Sequence, residues 1–308
     1  MYLAPIKKMK MKRYFKLLTI ATAITLFTAC KRDDDGLTAE PPRDYGEQYI
    51  ADNEAIKEYL QTHYIVNVDD DMNISLAAIP NGGTQVSIWD QTDYPLQTKA
   101  VNSNNVDYTV YYIVLNEGGG ESPTRADLIR AAYRGTLLDG TQFDYLPFPQ
   151  SLSPLDEAIE GWQEIIPLFK TGTYIDIPDN PNPATFEDFG AGVMFLPSGL
   201  AYFNSSIGTT VPAYSPMIFT FKLYQLEYVD TDGDGILNKD ETIPGVDIKY
   251  YDTDGDGIPN YLDTDDDGDG YPTRTEITDE NGNIYPFEEI PTCSESSTVP
   301  KHLDPSCH

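Results

Sequence analysis

Three stretches near the C-terminus space their carboxylates as a cation-binding loop does. Asp230-Thr-Asp-Gly-Asp-Gly-Ile-Leu-Asn-Lys-Asp-Glu241 puts acids at loop positions 1, 3, 5 and 12 and glycine at position 6. Its candidate ligands are Asp230, Asp232, Asp234 and Glu241. The next copy offers Asp252, Asp254, Asp256 and Asp263, and the third offers Asp265, Asp267, Asp269 and Glu276. A register starting at Asp263 overlaps the third copy. Hard oxygen ligands at this spacing suit Ca2+, and glycine permits the sharp turn between them. A helix–loop–helix hand would need flanking helices, and Pro244, Pro259 and Pro272 argue against those. Composition alone would also suit a disordered acidic tail. The threefold repetition of the ligand pattern favours structural calcium.

A second group of residues is aromatic, and its spacing is that of a sheet and one helix. Ile129 to Asp144 reads as a strand, a tight turn at Asp139-Gly140 and a second strand ending in Phe143-Asp144. Asp156 to Phe169 carries Ile159, Trp162, Ile165, Ile166 and Phe169 at helical spacing, behind Ser153-Pro154. Val193 to Pro197 and Met217 to Tyr228 read as further strands. No nucleophile–base–acid triad is evident, so any reaction must work without one.

The stretch Tyr133-Arg-Gly-Thr-Leu-Leu-Asp-Gly-Thr-Gln-Phe-Asp144 resembles the opening sheet of the FKBP class of peptidyl-prolyl cis-trans isomerases. Gly161-Trp162, Gly199-Leu-Ala-Tyr202 and Met217-Ile-Phe219-Thr-Phe221 follow at compatible spacing. The resemblance implies that Trp162 floors a proline site walled by Tyr133, Phe143 and Phe219. It implies that the Ile159 backbone N–H meets a ligand carbonyl and that the Tyr202 hydroxyl reaches the substrate backbone. Asp144 would sit near the twisting carbonyl, and Val211 would form an aliphatic lip. The chain also departs from the family. Asp144 and Trp162 stand closer in sequence than usual, Phe148 is the nearest substitute for a further aromatic, and no Arg is available for Asp144. Phe203 follows Tyr202 where the family usually has glycine.

The implied reaction needs no cofactor. Rotation about X-Pro faces a barrier of ~18–20 kcal/mol. An apolar, water-poor pocket lowers it by preferring the twisted, less polar amide. The acidic loops, in turn, resemble thrombospondin type 3 repeats, in which calcium organises an extended and nearly helix-free chain.

The rest of the chain must position and deliver these groups. It has 308 residues and 40% hydrophobic content, enough for one or two domains with a real core. The formal charge of −30 excludes nucleic acid as a partner, which needs Lys/Arg patches. Lys7 to Lys16 precede an apolar run, Leu17 to Ala29, too short to span a membrane. With Leu26-Phe-Thr-Ala-Cys30 this reads as a secretory signal, and the cut site resembles the bacterial lipobox, in which the cysteine is lipidated. The acidic run after Cys30 resembles a surface-export signal, and a plain solvated tether has the same composition. The two remaining cysteines, Cys293 and Cys307, suit a disulfide in an exported chain, with free thiols the alternative. Glu47 to Tyr64 is spaced as an amphipathic helix that Asp52 would help to start.

The expected fold is α+β: an FKBP-like bent antiparallel sheet wrapped on a short helix. The expected order is a signal peptide at 1–29, a flexible tether at 30–46, a helical and β extension at 47–99, the FKBP-like domain at 100–228 and acidic calcium-binding repeats at 229–308. Residues 173–190 look like an insertion beside the pocket. The expected protein is an outer-membrane lipoprotein, on the cell surface or the periplasmic face, anchored through Cys30. It would isomerise proline-containing polypeptides and assist the folding of exported proteins. A non-catalytic Pro-peptide module and a calcium-dependent surface spacer are the alternatives.

Overall fold

Asp44 starts the first helix. Its side chain accepts the Glu47 N–H at 3.1 Å, satisfying one of the free donors of α1 (Tyr45–Thr62). Asp52, expected to help start this helix, lies inside it and is buried. Ile56, Tyr59 and Leu60 continue the buried stripe. A hairpin follows, β1 (His63–Val68) with β2 (Ile74–Ala78).

The computed structural model describes residues 41–175 and 185–307. The expected signal peptide, Cys30 and most of the tether lie outside the described residues. Residues 43–308 form one compact unit. Among the described residues, no helix is long and apolar enough to cross a membrane.

The central sheet has seven strands, all paired antiparallel. They are β3 (Leu96–Ser103), β4 (Val106–Asn116), β5 (Leu128–Leu137), β6 (Gln142–Leu146), β7 (Ser153–Pro154), β10 (Gly190–Leu196) and β11 (Met217–Glu227). The order is β3-β4-β10-β11-β5-β6, with β7 also paired to β5. The turn between β5 and β6 falls at Asp139-Gly140, where Gly140 takes φ +85° and the Asp139 carboxylate accepts the Thr141 N–H at 2.8 Å.

Strand alternation sends β4 to two cores. Tyr108 and Val110 face one cluster with Trp162, Ile165 and Phe169, while Tyr111 and Ile113 face another with Ile56, Tyr59 and Leu60. The sheet is therefore covered on both faces. The short helix α2 (Glu160–Ile165) lies on one side, and α1 with its hairpin lies on the other. That is why every residue of β10 is buried. The helix is shorter than the expected Asp156–Phe169. It tightens to a 3-10 turn at Ile166–Leu168, where Pro167 has no N–H to continue the α pattern.

The expected insertion contains a small antiparallel pair, β8 (Thr173–Ile175) and β9 (Thr185–Glu187). Phe186 stacks on Tyr224 with centroids 5.2 Å apart, five residues along β11 from Phe219. That is about 17 Å of strand, so the described ends of the insertion lie away from the aromatic cluster.

Residues 229–307 hold short 3-10 turns and one brief helix, α3 (Thr273–Glu276). They dock on the sheet domain. Asp127 accepts the Val229 N–H at 3.0 Å, and the Arg125 guanidinium holds Asp247 at 2.9 Å. A disulfide joins Cys293 to Cys307, with Cα atoms 5.8 Å apart.

Candidate active site

Gly135 makes room for the aromatic cluster. On β5 it pairs with Phe219 of β11 on one side and Asp144 of β6 on the other. A Cβ there would lie 2.6 Å from the Phe143 Cζ and 3.0 Å from the Phe219 Cε1. Its absence lets Phe143 meet Phe219 edge-to-face, with centroids 5.5 Å apart. Trp162 on α2 stands edge-to-face on Tyr133 at 5.2 Å and on Phe219 at 5.5 Å. Gly161 lets this helix close on the sheet, since a Cβ there would lie 2.5 Å from a Leu196 methyl. Edge-to-face pairs add about 0.5–1.5 kcal/mol beyond burial and fix ring orientation.

The polar edge of the cluster is Asp144. It is exposed, and its Oδ2 accepts the Tyr133 hydroxyl at 2.8 Å while its Oδ1 accepts the Tyr145 N–H at 2.8 Å. Burial pushes the Tyr133 phenol up to about 12, helped by the Asp144 hydrogen bond and charge. Tyr202 is raised by burial first and by the Asp144 charge second. Both phenols therefore stay protonated at neutral pH and remain hydrogen-bond donors. Ile159 is the N-cap of α2. Its N–H makes no hydrogen bond among the described residues, leaving a donor at the helix entrance.

Tyr133, Phe143, Ile159, Trp162, Tyr202, Val211 and Phe219 thus share one cluster, and Asp144 borders it. Two expectations change. Val211 is 1% exposed and belongs to the core, so it is no open lip. Phe148 is 78% exposed and does not supply the missing aromatic. No Lys or Arg pairs with Asp144 among the described residues. Arg134 lies instead over the Tyr145 ring at 4.9 Å.

Phe203 takes φ +45°, a left-handed conformation that glycine adopts freely and phenylalanine does not. Its ring stacks on Tyr45 of α1 at 3.7 Å and meets Tyr214 edge-on at 5.1 Å. Close by, the buried Asp52 accepts both the Ser198 N–H at 2.7 Å and its hydroxyl at 2.6 Å. Behind Trp162, the buried Glu164 accepts Lys249 at 2.5 Å, pairs with Arg125 and lies 3.4 Å from Lys99. None of these anchors was read from the sequence. The signal available for the first was Phe203 in a glycine position.

In the acidic segment the three loops repeat one backbone pattern. Asp230 and Asp252 each accept two glycine N–H groups. Asn238 and Asn260, at loop position 9, each accept the N–H of position 2, and the Thr273 hydroxyl does so in the third loop. Asp230, Asp232 and Asp234 converge within 4.8 Å, as do Asp252, Asp254 and Asp256, and Asp265, Asp267 and Asp269. Asp263 and Glu276 join none of these groups. Glu241 groups with Asp234 and with Asp266, a residue the sequence pattern had passed over. Oxygens of Asp232, Asp234, Glu241, Asp265 and Asp267 are buried without partners, as are both of Glu276. Orphaned buried carboxylates fit a hard cation.

Sequence comparison finds relatives among the FKBP-type peptidyl-prolyl cis-trans isomerases, and the chain is homologous to them over part of its length. FkpA of Aeromonas hydrophila is 31% identical over 125 residues, covering 40% of this chain and 40% of that protein. The isomerase Mip of Coxiella burnetii is 38% identical over 85 residues, covering 27% and 37%. "Outer membrane protein MIP" of Legionella longbeachae is 27% identical over 118 residues, covering 38% and 43%. The chain therefore spans about two fifths of the length of these curated relatives. The crystal structure of Escherichia coli FkpA is 16% identical, covering 73% of this chain and 75% of that one, with TM-score 0.35. One family model, BamM C-terminal, matches residues 225–300. The match across the acidic loops is to that family and not to thrombospondin type 3 repeats.

Proposed function

We propose that the protein is a peptidyl-prolyl cis-trans isomerase acting on proline-containing polypeptides, and that it assists the folding of exported proteins. The observation that carries this reading is the Trp162 floor, walled by Tyr133, Phe143 and Phe219. A proline ring on Trp162 would leave its preceding amide in apolar surroundings, where the twisted form loses less than the planar form. The Ile159 N–H and the Tyr202 hydroxyl are donors for the peptide on either side of that bond. Asp144 would hold Tyr133 in place and present negative charge beside the rotating carbonyl carbon. Each 1.36 kcal/mol taken from the barrier is tenfold in rate.

The acidic loops are read as structural Ca2+ sites, held by Asp230, Asp232 and Asp234, by Asp252, Asp254 and Asp256, and by Asp265, Asp267 and Asp269. Catalysis itself needs no cofactor. Anchoring through Cys30 to the outer membrane is part of the same proposal, motivated by the basic and apolar N-terminus.

The test is isomerisation of a short X-Pro peptide by the purified full chain, beside Tyr202→Phe. Acceleration that falls in the variant supports an enzyme. No acceleration from a folded chain rejects it in favour of a Pro-peptide binding module, a reading favoured by the lack of a basic partner for Asp144. Mass spectrometry of the membrane fraction checks for a lipid on Cys30, and an unmodified thiol there rejects the anchor.

A further inference from the structure

Asp266 is the second residue of the third loop, where the first two loops have Thr231 and Thr253. Positions 1, 3 and 5 supply the converging acids of its own loop, and Asp266 is not among them. Asp266 is 2% exposed and meets residues of the first loop, Asp234 at 2% and Glu241 at 3%. One oxygen from each lies within 4.8 Å of the others. Asp234 Oδ2, both Glu241 oxygens and both Asp266 oxygens are buried with no hydrogen-bond partner. Among the described residues, no Lys or Arg forms an ion pair with any of the three. Arg274, which approaches the first loop, donates instead to the Gly233 carbonyl at 3.0 Å.

Three buried carboxylates with unused lone pairs and no basic partner must be neutralised, by protons or by a cation, and their convergence within 4.8 Å favours one ion shared by all three. We propose that Asp234, Glu241 and Asp266 hold a Ca2+ ion that ties the first loop to the third. The ligand set is all oxygen and anionic, which suits a hard divalent cation and offers nothing to a soft metal. A cavity of about 340 Å³ lined by Glu241, Asn260, Asp266 and His302 gives room for the water ligands that Ca2+ takes beyond its carboxylates. Glu241 thereby keeps the first-loop acids Asp232 and Asp234 that its place at position 12 suggests and adds Asp266 from the third loop. The ion would cross-link residues more than two dozen positions apart, making the array one closed body in place of three beads on a string.

The inference rests on the calcium reading of the loops, and its test separates the two. Asp266→Thr restores the residue that the sister loops carry, so its backbone is already known to the motif. Calcium binding to the full chain is followed by calorimetry, and melting is followed with calcium and with chelator. In chelator the variant melts at or above the wild-type temperature, because a buried repulsive charge is gone. With calcium, one binding event is lost or weakened by about tenfold or more, and the calcium-induced rise in melting temperature shrinks. Proteolysis within residues 242–265 stays slow in calcium for the wild type and speeds up in the variant. Calcium binding that is identical in both proteins overturns the inference and leaves the other loop sites standing. A variant that melts lower in chelator makes Asp266 a structural residue and also overturns it. A wild type that binds no calcium overturns both readings.

Discussion

Tyr45 lies flat on Phe203, with ring centroids 3.7 Å apart and planes 9° from parallel. The first residue of α1 thus holds the residue next to Tyr202. A phenylalanine at φ +45° stores about 1–3 kcal/mol of backbone strain, and the stack offsets part of it. Tyr45→Ala should lower stability by about 1–2 kcal/mol and should lower isomerase activity through a displaced Tyr202. Denaturant unfolding and the peptide assay read the two effects. An unchanged rate at reduced stability would disconnect α1 from the site.

Asp144 tests the polar edge of the cluster. Asp144→Ala removes the acceptor of the Tyr133 hydroxyl from an exposed position. The expected result is a rate reduced by about tenfold or more, equivalent to about 1.4 kcal/mol of barrier, with little change in melting temperature. A collapse of the fold would assign the residue to structure alone.

Glu164 carries three basic partners under the helix that presents Trp162. Glu164→Gln should cost about 3 kcal/mol, because it leaves Arg125 and Lys249 facing a neutral group. Burial pushes the Glu164 carboxyl up, but the Lys249 hydrogen bond and the charges of Arg125, Lys249 and Lys99 together bring it below 4.5. A depressed acid contributes its stability above the unfolded value and loses it as pH falls through the folded one. The gap between wild type and Glu164→Gln should therefore be full above pH 4.5 and close on acidification below it. A gap that ignores pH would remove the ionised carboxylate from the account.

Asp52 has the opposite sign. Burial raises its carboxyl above 3.8, against the Ser198 and Gln48 hydrogen bonds that lower it. A raised acid contributes stability that is complete below 3.8 and lost as pH rises through the folded value. Wild type should therefore weaken relative to Asp52→Asn as pH rises above 3.8. Parallel stability curves between about pH 3 and pH 7 would contradict this.

Much of this molecule follows from local patterns. The alternation in β4 and β11, the strand character of β5 and β10 and the Asp139-Gly140 turn are readable because each depends on neighbours in sequence, whereas Tyr133, Phe143, Trp162, Tyr202 and Phe219 were placed by the family resemblance. The start of α1 was misplaced because Asp44 and Asp52 are both acceptable caps, and only packing against Ser198 commits Asp52 to the interior. The end of α2 was overrun because its apolar spacing continues past Pro167. Phe203 stands out in the sequence only as a departure from a glycine position. Glu164 and Asp266 were missed for one reason. Each is ordinary in its own segment and acquires its role from a residue tens of positions away.

The partnership of Asp52 with Ser198 spans 146 residues, and that of Glu164 with Lys249 spans 85. A chain emerging from the ribosome presents α1 long before the loop that satisfies it, and Trp162 before the basic residues that brace its helix. The nascent protein therefore holds an exposed apolar stripe on α1 until Ser198 arrives and an unbraced aromatic floor until its last third arrives. Truncated products should be poor folders in their own right and candidates for the cell's own chaperones.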